Sequence, residues 1–268
     1  MRLLHLVARR GNSTDFPENT LPALRSAIAI GARFLEIDVH LSSDGTAMVC
    51  RDQHLSHLAA GALTLSAQDL SRLDAGEPER FGGRYRDTRL VSLATALGLL
   101  EGRPEITVFV TIGRSSVLRF GQEQVVTRVA RTLKPFRSRC ILGSTDLPTV
   151  HAARALTGYP IAWALTAYDN HTRLKYEALQ PDYIFCDRAY LPEKGALWRG
   201  PWRWAVCEVE TLETVLALAE RGADFVVTRN VRQLSEAMLA HSAATTHSKL
   251  EAGSLPKPRG EQPRPRRE

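Results

Sequence analysis

A TIM-type (β/α)8 barrel, an α/β fold with a small insertion after the second strand, is predicted by three features of this 268-residue chain. Eight apolar runs, each of five to seven residues, recur along residues 1–240. Amphipathic stretches separate them, and several open on Ser or Thr and close on Gly, as capped helices do. Eight such steps in a chain of this length suit a closed parallel barrel better than an open sheet. Third, arginines and carboxylates gather at the carboxyl ends of the runs, the end at which barrels carry their chemistry.

The strand candidates in order are LLHLVA from Leu3, RFLEIDV from Arg33, TVFVTI from Thr107, CILGS from Cys140, PIAWAL from Pro160, DYIFCD from Asp182, RWAVCEV from Arg203 and DFVVT from Asp224. Helix candidates between them are LPALRSAIAIG, SLATALGLLEG, EQVVTRVARTLK, LPTVHAARALTG, TLETVLALAERG and RQLSEAMLAHS. Residues 52–89 are too long for a βα loop and contain their own short helix, SAQDLSRLDAG, so they are read as the insertion. The barrel domain spans residues 1–240.

From His241 onward the chain carries six Lys and Arg against three Glu, half of its net charge of +6. Residues 241–268 are rich in Pro, Gly and Ser and poor in apolar residues, so a disordered basic tail is expected. A basic tail suits acidic surfaces, but no aromatic residues interleave with its charges. No specific nucleic acid partner is therefore expected. Four isolated cysteines, Cys50, Cys140, Cys186 and Cys207, lie in apolar runs without metal-ligand spacing. They fit a reducing compartment. With no leader-like segment and no apolar run of membrane-spanning length, a cytoplasmic protein is expected.

At the strand ends, Arg9 and Arg10 close the first run. Glu36 and Asp38, two apart, share one face of the second. Arg51 and Asp52 end the return segment TAMVCRD, and Thr111, Gly113 and Arg114 follow the third strand. Asp187 and Arg188, then Glu208, then Thr228 and Arg229 end the last three.

The ordered set Pro17, Glu18, Asn19, Thr20, Glu36, Asp38, Asp44, Gly45 and Asp52, within ARRG…FPENT…EIDV…DGTAMVCRD, resembles the opening of the glycerophosphodiester phosphodiesterase family. DLSRLDAG and RLVSLATAL resemble its insertion and the following helix, and ERGADFVVT its last strand. The resemblance implies a phosphoric diester hydrolase of lipid metabolism that releases glycerol 3-phosphate and an alcohol. It also implies carboxylates holding Mg2+ or Ca2+, two histidines as general acid and base, and an arginine on the phosphate.

Departures from the family's pattern fall on those chemical positions. Its two catalytic histidines are Arg9 and Arg51 here, and its third metal carboxylate is Thr111. Its lysine two residues on is Gly113, the run expected on the seventh strand is Val206 to Val209, and Arg229 stands at an aspartate position. Glu36 and Asp38 thus remain as a vestigial metal pair, with Asp52 behind them. Arg10, with Arg9, Arg51 and Arg229, is a candidate phosphate binder. Arginine stays protonated at any physiological pH and cannot exchange protons as the histidines would.

The expectation is an impaired or absent hydrolytic mechanism without cofactor, in a pseudoenzyme that binds a phosphate-bearing small molecule or regulates. The alternative is an active Mg2+- or Ca2+-dependent hydrolase with a rebuilt site. At the mouth itself two arrangements stay open. In one, Glu36 and Asp38 pair with Arg9 and Arg51 in a closed salt-bridge network. In the other, spare arginine forks face an anion. His40 and His54 are weaker substitutes for the lost acid–base pair, and His5 is read as a core residue. The Trp-rich segment ALWRGPWRWAV is read as a loop packed on the barrel rim, or else as a cover for the mouth or a contact with a lipid surface.

Overall fold

The structure, a computed structural model, describes residues 4–51 and 64–253. Eight parallel strands form the barrel: β1 (His5–Arg9), β2 (Phe34–Leu41), β5 (Thr107–Ile112), β6 (Cys140–Ser144), β7 (Ile161–Leu165), β8 (Tyr183–Asp187), β9 (Arg203–Cys207) and β10 (Phe225–Thr228). Each pairs with the next, and β1 pairs with both β10 and β2, which closes the ring. The return segment forms β3 (Ala47–Val49), antiparallel to β2. β3 in turn pairs with β4 (Val91–Ser92) beyond the insertion.

Alternation along the strands divides the core in two. Val7, Phe109, Ile141, Ala162, Phe185, Ala205, Phe225 and Val227 point into the barrel. There Phe109, Phe185 and Phe225 pack edge to face with Phe34 and Tyr183. The alternate residues, such as Leu35, Ile37, Val39, Val108 and Val110, face the helices in a larger outer core. That period of two places Glu36 and Asp38 on the inner side, at the carboxyl end.

Among the described residues the helices are α1 (Leu21–Ala29), α2 (Ala67–Leu70) and α3 (Pro78–Phe81) in the insertion, α4 (Leu93–Leu97), α5 (Arg114–Phe120), α6 (Gln122–Leu133), α7 (Leu147–Thr157), α8 (Asn170–Leu179), α9 (Leu212–Arg221) and α10 (Val231–Gly253). Side chains cap the helix starts: Thr20, Ser66, Asp146, Asp169 and Thr211 each accept a backbone N–H of the first turn. Between β8 and β9 a short 3-10 turn, Arg188–Tyr190, stands where a crossover helix would. Pro192, Gly195, Gly200 and Pro201 punctuate that stretch and deny it helical periodicity. Its flank is filled by aromatics instead. Trp202 and Trp204 are buried and donate to the Trp198 carbonyl, and Trp198 stacks on Tyr168 at 4.1 Å. The Trp-rich segment therefore packs on the side of the barrel rather than covering its mouth.

The disordered-tail expectation needs correction over residues 241–253, which continue α10. Among residues 241–252 there is neither Pro nor Gly, and Ala, Ser, Lys, Leu and Glu extend a helix once it is nucleated. Residues 254–268, Asp52 and His54 lie outside the described residues, as does much of the insertion's first half.

Candidate active site

Gly11, two residues past the end of β1, starts the site. Its φ is +84°, and a Cβ there would lie 2.5 Å from the Ala23 backbone, so only glycine lets the loop press onto α1. The residues around it take left-handed conformations without that freedom: Arg10 has φ 56° and Asn19 φ 58°. Such backbone costs on the order of 1–3 kcal/mol per residue and persists where surroundings over-determine it. Here they do. The Arg10 N–H donates to the Glu36 carbonyl at 2.8 Å, and the Asn19 N–H to the Arg10 carbonyl at 3.1 Å.

The result aims Arg10 at two carboxylates. Its Nε donates to Asp38 Oδ2 at 2.5 Å and its NH1 to Glu18 Oε2 at 2.9 Å. Burial pulls the guanidinium pKa down, but Asp38, Glu36 and Glu18 outweigh it and raise it further above its ordinary value. Asn19 grips Asp38 from both sides, donating Nδ2 to Oδ2 at 3.0 Å and accepting the Asp38 N–H on Oδ1 at 3.1 Å.

Glu18 is the hub that sequence reasoning left as a scaffold marker. It is 2% exposed. Oε2 accepts from Arg10 and from Arg51 NH1 at 2.6 Å, while Oε1 meets Arg229 NH2 at 3.4 Å and Arg80 NH1 at 4.0 Å. Burial pushes its carboxyl up, yet Arg10, Arg51 and Arg229 hold it below the usual carboxylate range. Its arginines lie at positions 10, 51, 80 and 229, so no periodic signal marks such a hub. The available one was chemical: an acidic residue in the loop after β1, where several arginines need an anion.

Corrections to the expected pairing follow. Arg9 pairs with Glu208, whose own φ is 58°, and Arg51 pairs with Glu18; neither takes Glu36 or Asp38. Arg9 reaches across β10 because its long side chain spans the gap, while Arg51 leaves the end of β3 on the side of the PENT loop. Arg114 and Arg188 are exposed. His40 is buried away from the mouth, its Nδ1 3.1 Å from Ser116 Oγ, and its ring lies where a Cβ on Gly113 would fall, 2.0 Å from Cε1. His5, at the opposite end of β1, is exposed and packs against Phe34 and Phe225 rather than sitting in the core.

Glu36 takes no ion pair among the described residues. Oε1 accepts from Thr111 Oγ1 at 3.1 Å, while the buried Oε2 has no hydrogen-bond partner among those residues. Burial, then the Asp38 charge, push its carboxyl up to about 7 against the opposing pull of Arg10, Arg9 and Thr111. Two carboxylates, one already holding an arginine, and a threonine thus stand where the family implies three carboxylates.

A cavity of about 280 Å3 opens above them. Arg9, Arg10, Glu36, Asp38 and Thr111 form one wall; Phe109, Ala162, Ala164, Leu165 and Phe185 form the floor and opposite wall, with Asp187 and the half-exposed Tyr190 at the rim. Arg51 and Arg229, expected to touch a phosphate, do not line it; their forks turn to Glu18 behind the wall. Cys207 does line it, and burial pushes its thiol up to about 12, which keeps it unreactive. Chemically, among the described residues, the wall offers two cationic forks and hydroxyl donors, without an imidazole.

Comparison with known proteins agrees with this architecture. A glycerophosphodiester phosphodiesterase from Caldanaerobacter subterraneus is 29% identical over 142 residues, 52% of this chain and 57% of that protein. An uncharacterised Mycobacterium tuberculosis protein is 31% identical over 168 residues, 59% of this chain and 54% of its own length. The chain spans about half the length of these curated relatives. Among solved structures, a phosphodiesterase from Oleispira antarctica, in complex with the product sn-glycerol-3-phosphate, superposes with a TM-score of 0.74 at 20% identity, covering 88% of this chain and 97% of that one. A glycerophosphodiester phosphodiesterase from Parabacteroides distasonis gives 0.71 at 15% identity over 89% of this chain and 98% of that one. Among the described residues no helix is long and apolar enough to cross a membrane. Residues 10–180 match the glycerophosphoryl diester phosphodiesterase family, and the chain belongs to it.

Proposed function

We propose that this chain is a pseudoenzyme of its family: a barrel whose hydrolytic site has become an arginine–carboxylate network, and whose mouth binds a phosphate-bearing small molecule without metal. One observation carries this. Both positions at which the family places its catalytic histidines hold arginines, and each is engaged by a carboxylate, Arg9 by Glu208 and Arg51 by Glu18. Neither can take up a proton, and each acid–base role lost costs about 10²–10⁴ in rate.

The donor set does not fit a hard divalent cation. Such an ion wants six or more oxygens and net negative charge. Asp38 Oδ2 is shared by Arg10 and Asn19, Thr111 donates its hydroxyl hydrogen to Glu36, and two guanidinium groups flank the place. A proton on Glu36 satisfies its lone oxygen at lower cost than a metal would. Arg9 and Arg10 keep donors to spare, because Arg9 uses NH1 on Glu208 and Arg10 uses Nε and NH1. Both residues line the concave mouth, where a phosphate oxygen suits a guanidinium donor better than a neutral hydroxyl does. The Oleispira product complex supports the ligand class. The four cysteine thiols suit a cytoplasmic setting, and a role beside lipid metabolism follows from the family.

The alternative, a metal-dependent hydrolase with a rebuilt site, draws on the unpartnered Glu36 Oε2. Calorimetric titration of glycerol 3-phosphate, and separately of glycerol, into the chain with chelator present distinguishes the two. Binding of the phosphate but not of glycerol, independent of metal and weakening with salt, is expected. Binding that requires Mg2+ or Ca2+ would favour the hydrolase.

A further inference from the structure

The insertion is fastened to the very loop that carries the hub. Glu77, just before α3, accepts the Glu18 N–H on Oε1 at 2.6 Å. Its other oxygen pairs with Arg80, whose NH2 donates to the Ser13 carbonyl at 2.5 Å. Tyr85 adds a hydroxyl bond to the Asp15 carbonyl at 2.9 Å and a ring contact with Phe16. Residues 13–18 are thus held by side chains from residues 77–85, far away in sequence. Glu77 reaches its place with φ 49°, a left-handed conformation that a Glu residue adopts at a cost. A strained backbone that delivers one carboxylate oxygen to one backbone N–H is the mark of a placed group.

The position of that N–H matters. It belongs to Glu18, whose carboxylate joins Arg10 and Arg51, and Arg10 in turn lines the cavity. Glu18 has no side-chain freedom to compensate for a backbone shift, since its oxygens meet guanidinium groups on both sides and it is buried. We propose that Glu77 is a positioning residue for the anion site: through the Glu18 backbone it sets the carboxylate that orients Arg10. The inference rests on the binding function proposed above only for its ligand readout. The insertion then acts as a clasp that preorganises the arginine wall.

Glu77→Ala and Glu77→Gln separate this from a merely structural role. Both keep a Cβ and so the same left-handed backbone demand, and both lose the charge toward Arg80. Only Gln retains an oxygen acceptor for the Glu18 N–H. Two readouts are needed on the full chain. The first is the 15N spectrum of arginine Nε–H groups, in which Arg10, buried and bonded to Asp38, should give a slowly exchanging signal. That signal should persist in Glu77→Gln and be lost to exchange in Glu77→Ala. The second is titration with glycerol 3-phosphate under chelator at a temperature where all variants are folded: about tenfold weaker binding for Glu77→Ala and within about twofold of the parent for Glu77→Gln. An Arg10 signal unchanged in Glu77→Ala, or lost equally in both variants, would overturn the inference. If the Arg10 signal behaves as stated while the parent chain ignores glycerol 3-phosphate, the positioning role stands and the proposed ligand falls.

Discussion

Replacing Glu18 by Gln tests the network where its charges converge. The carboxylate is nearly inaccessible and holds Arg10 at 2.9 Å, Arg51 at 2.6 Å and Arg229 at 3.4 Å. Breaking a buried ion pair by removing one partner costs about 3–5 kcal/mol, because the other charge is left uncompensated. Two effects reduce that here. Arg51 and Arg229 keep 20% and 40% of their side-chain surface, so water screens them in part, and Arg10 retains Asp38. Gln also keeps one acceptor. The loss should be about 2–4 kcal/mol, which in a chain of this size lowers Tm by roughly 5–15 °C. The control is Arg173→Gln, which breaks the exposed i,i+4 pair with Glu177 and should cost no more than about 0.5 kcal/mol. Differential scanning calorimetry of the three chains at pH 7 gives the comparison. A Glu18→Gln loss no larger than that of Arg173→Gln would refute the hub. The pH dependence has a fixed sign: the Glu18 pKa is depressed on folding, so its contribution is present above about 4.5, the ordinary value, and disappears as pH falls through the folded value.

Glu36 should behave oppositely. Its folded pKa is raised, to about 7, so its protonated form favours folding below 4.5 and that contribution fades as pH rises through 7. Glu36→Gln, which keeps the acceptor for Thr111, should therefore flatten the fall in Tm between pH 5 and pH 8 and be the more stable chain at pH 8; equal slopes in the two melting series would contradict the burial of an unpaired carboxyl. Gly113→Ala should cost about 1–3 kcal/mol in urea unfolding, because the added methyl meets the His40 ring, itself held by Ser116; an unchanged midpoint would show that the ring moves aside freely.

Most of the fold was legible because it repeats. Runs such as TVFVTI and DFVVT carry both the β-branched composition of strands and the two-sided burial of a parallel sheet, and Thr20, Asp146 and Thr211 mark helix starts by local chemistry alone. The second element after β8 was less legible, since Trp198, Trp202 and Trp204 replace a helix by ring packing that has no period. Strand parity bears on Glu36 and Asp38, which line one cavity together with Arg9. Partner choice escaped it. That Arg9 would take Glu208, and that Glu18 would gather Arg10, Arg51 and Arg229, depends on left-handed turns at Asn19 and also at Arg10 and Glu208, two residue types that do not advertise them. The link from Glu77 to Glu18 joins segments 59 positions apart and is set by tertiary packing.

A 31P spectrum separates a phosphate-binding barrel from a hydrolase. A glycerophosphodiester such as glycerophosphocholine is incubated with a stoichiometric amount of the full chain, first with chelator and then with Mg2+, Ca2+ or Mn2+ in excess. The diester resonance should broaden or shift with chelator alone, and no phosphomonoester resonance should grow after any metal is added. A glycerol 3-phosphate resonance that appears with metal and stops growing when chelator is restored would contradict the pseudoenzyme reading, and would make this barrel a working hydrolase.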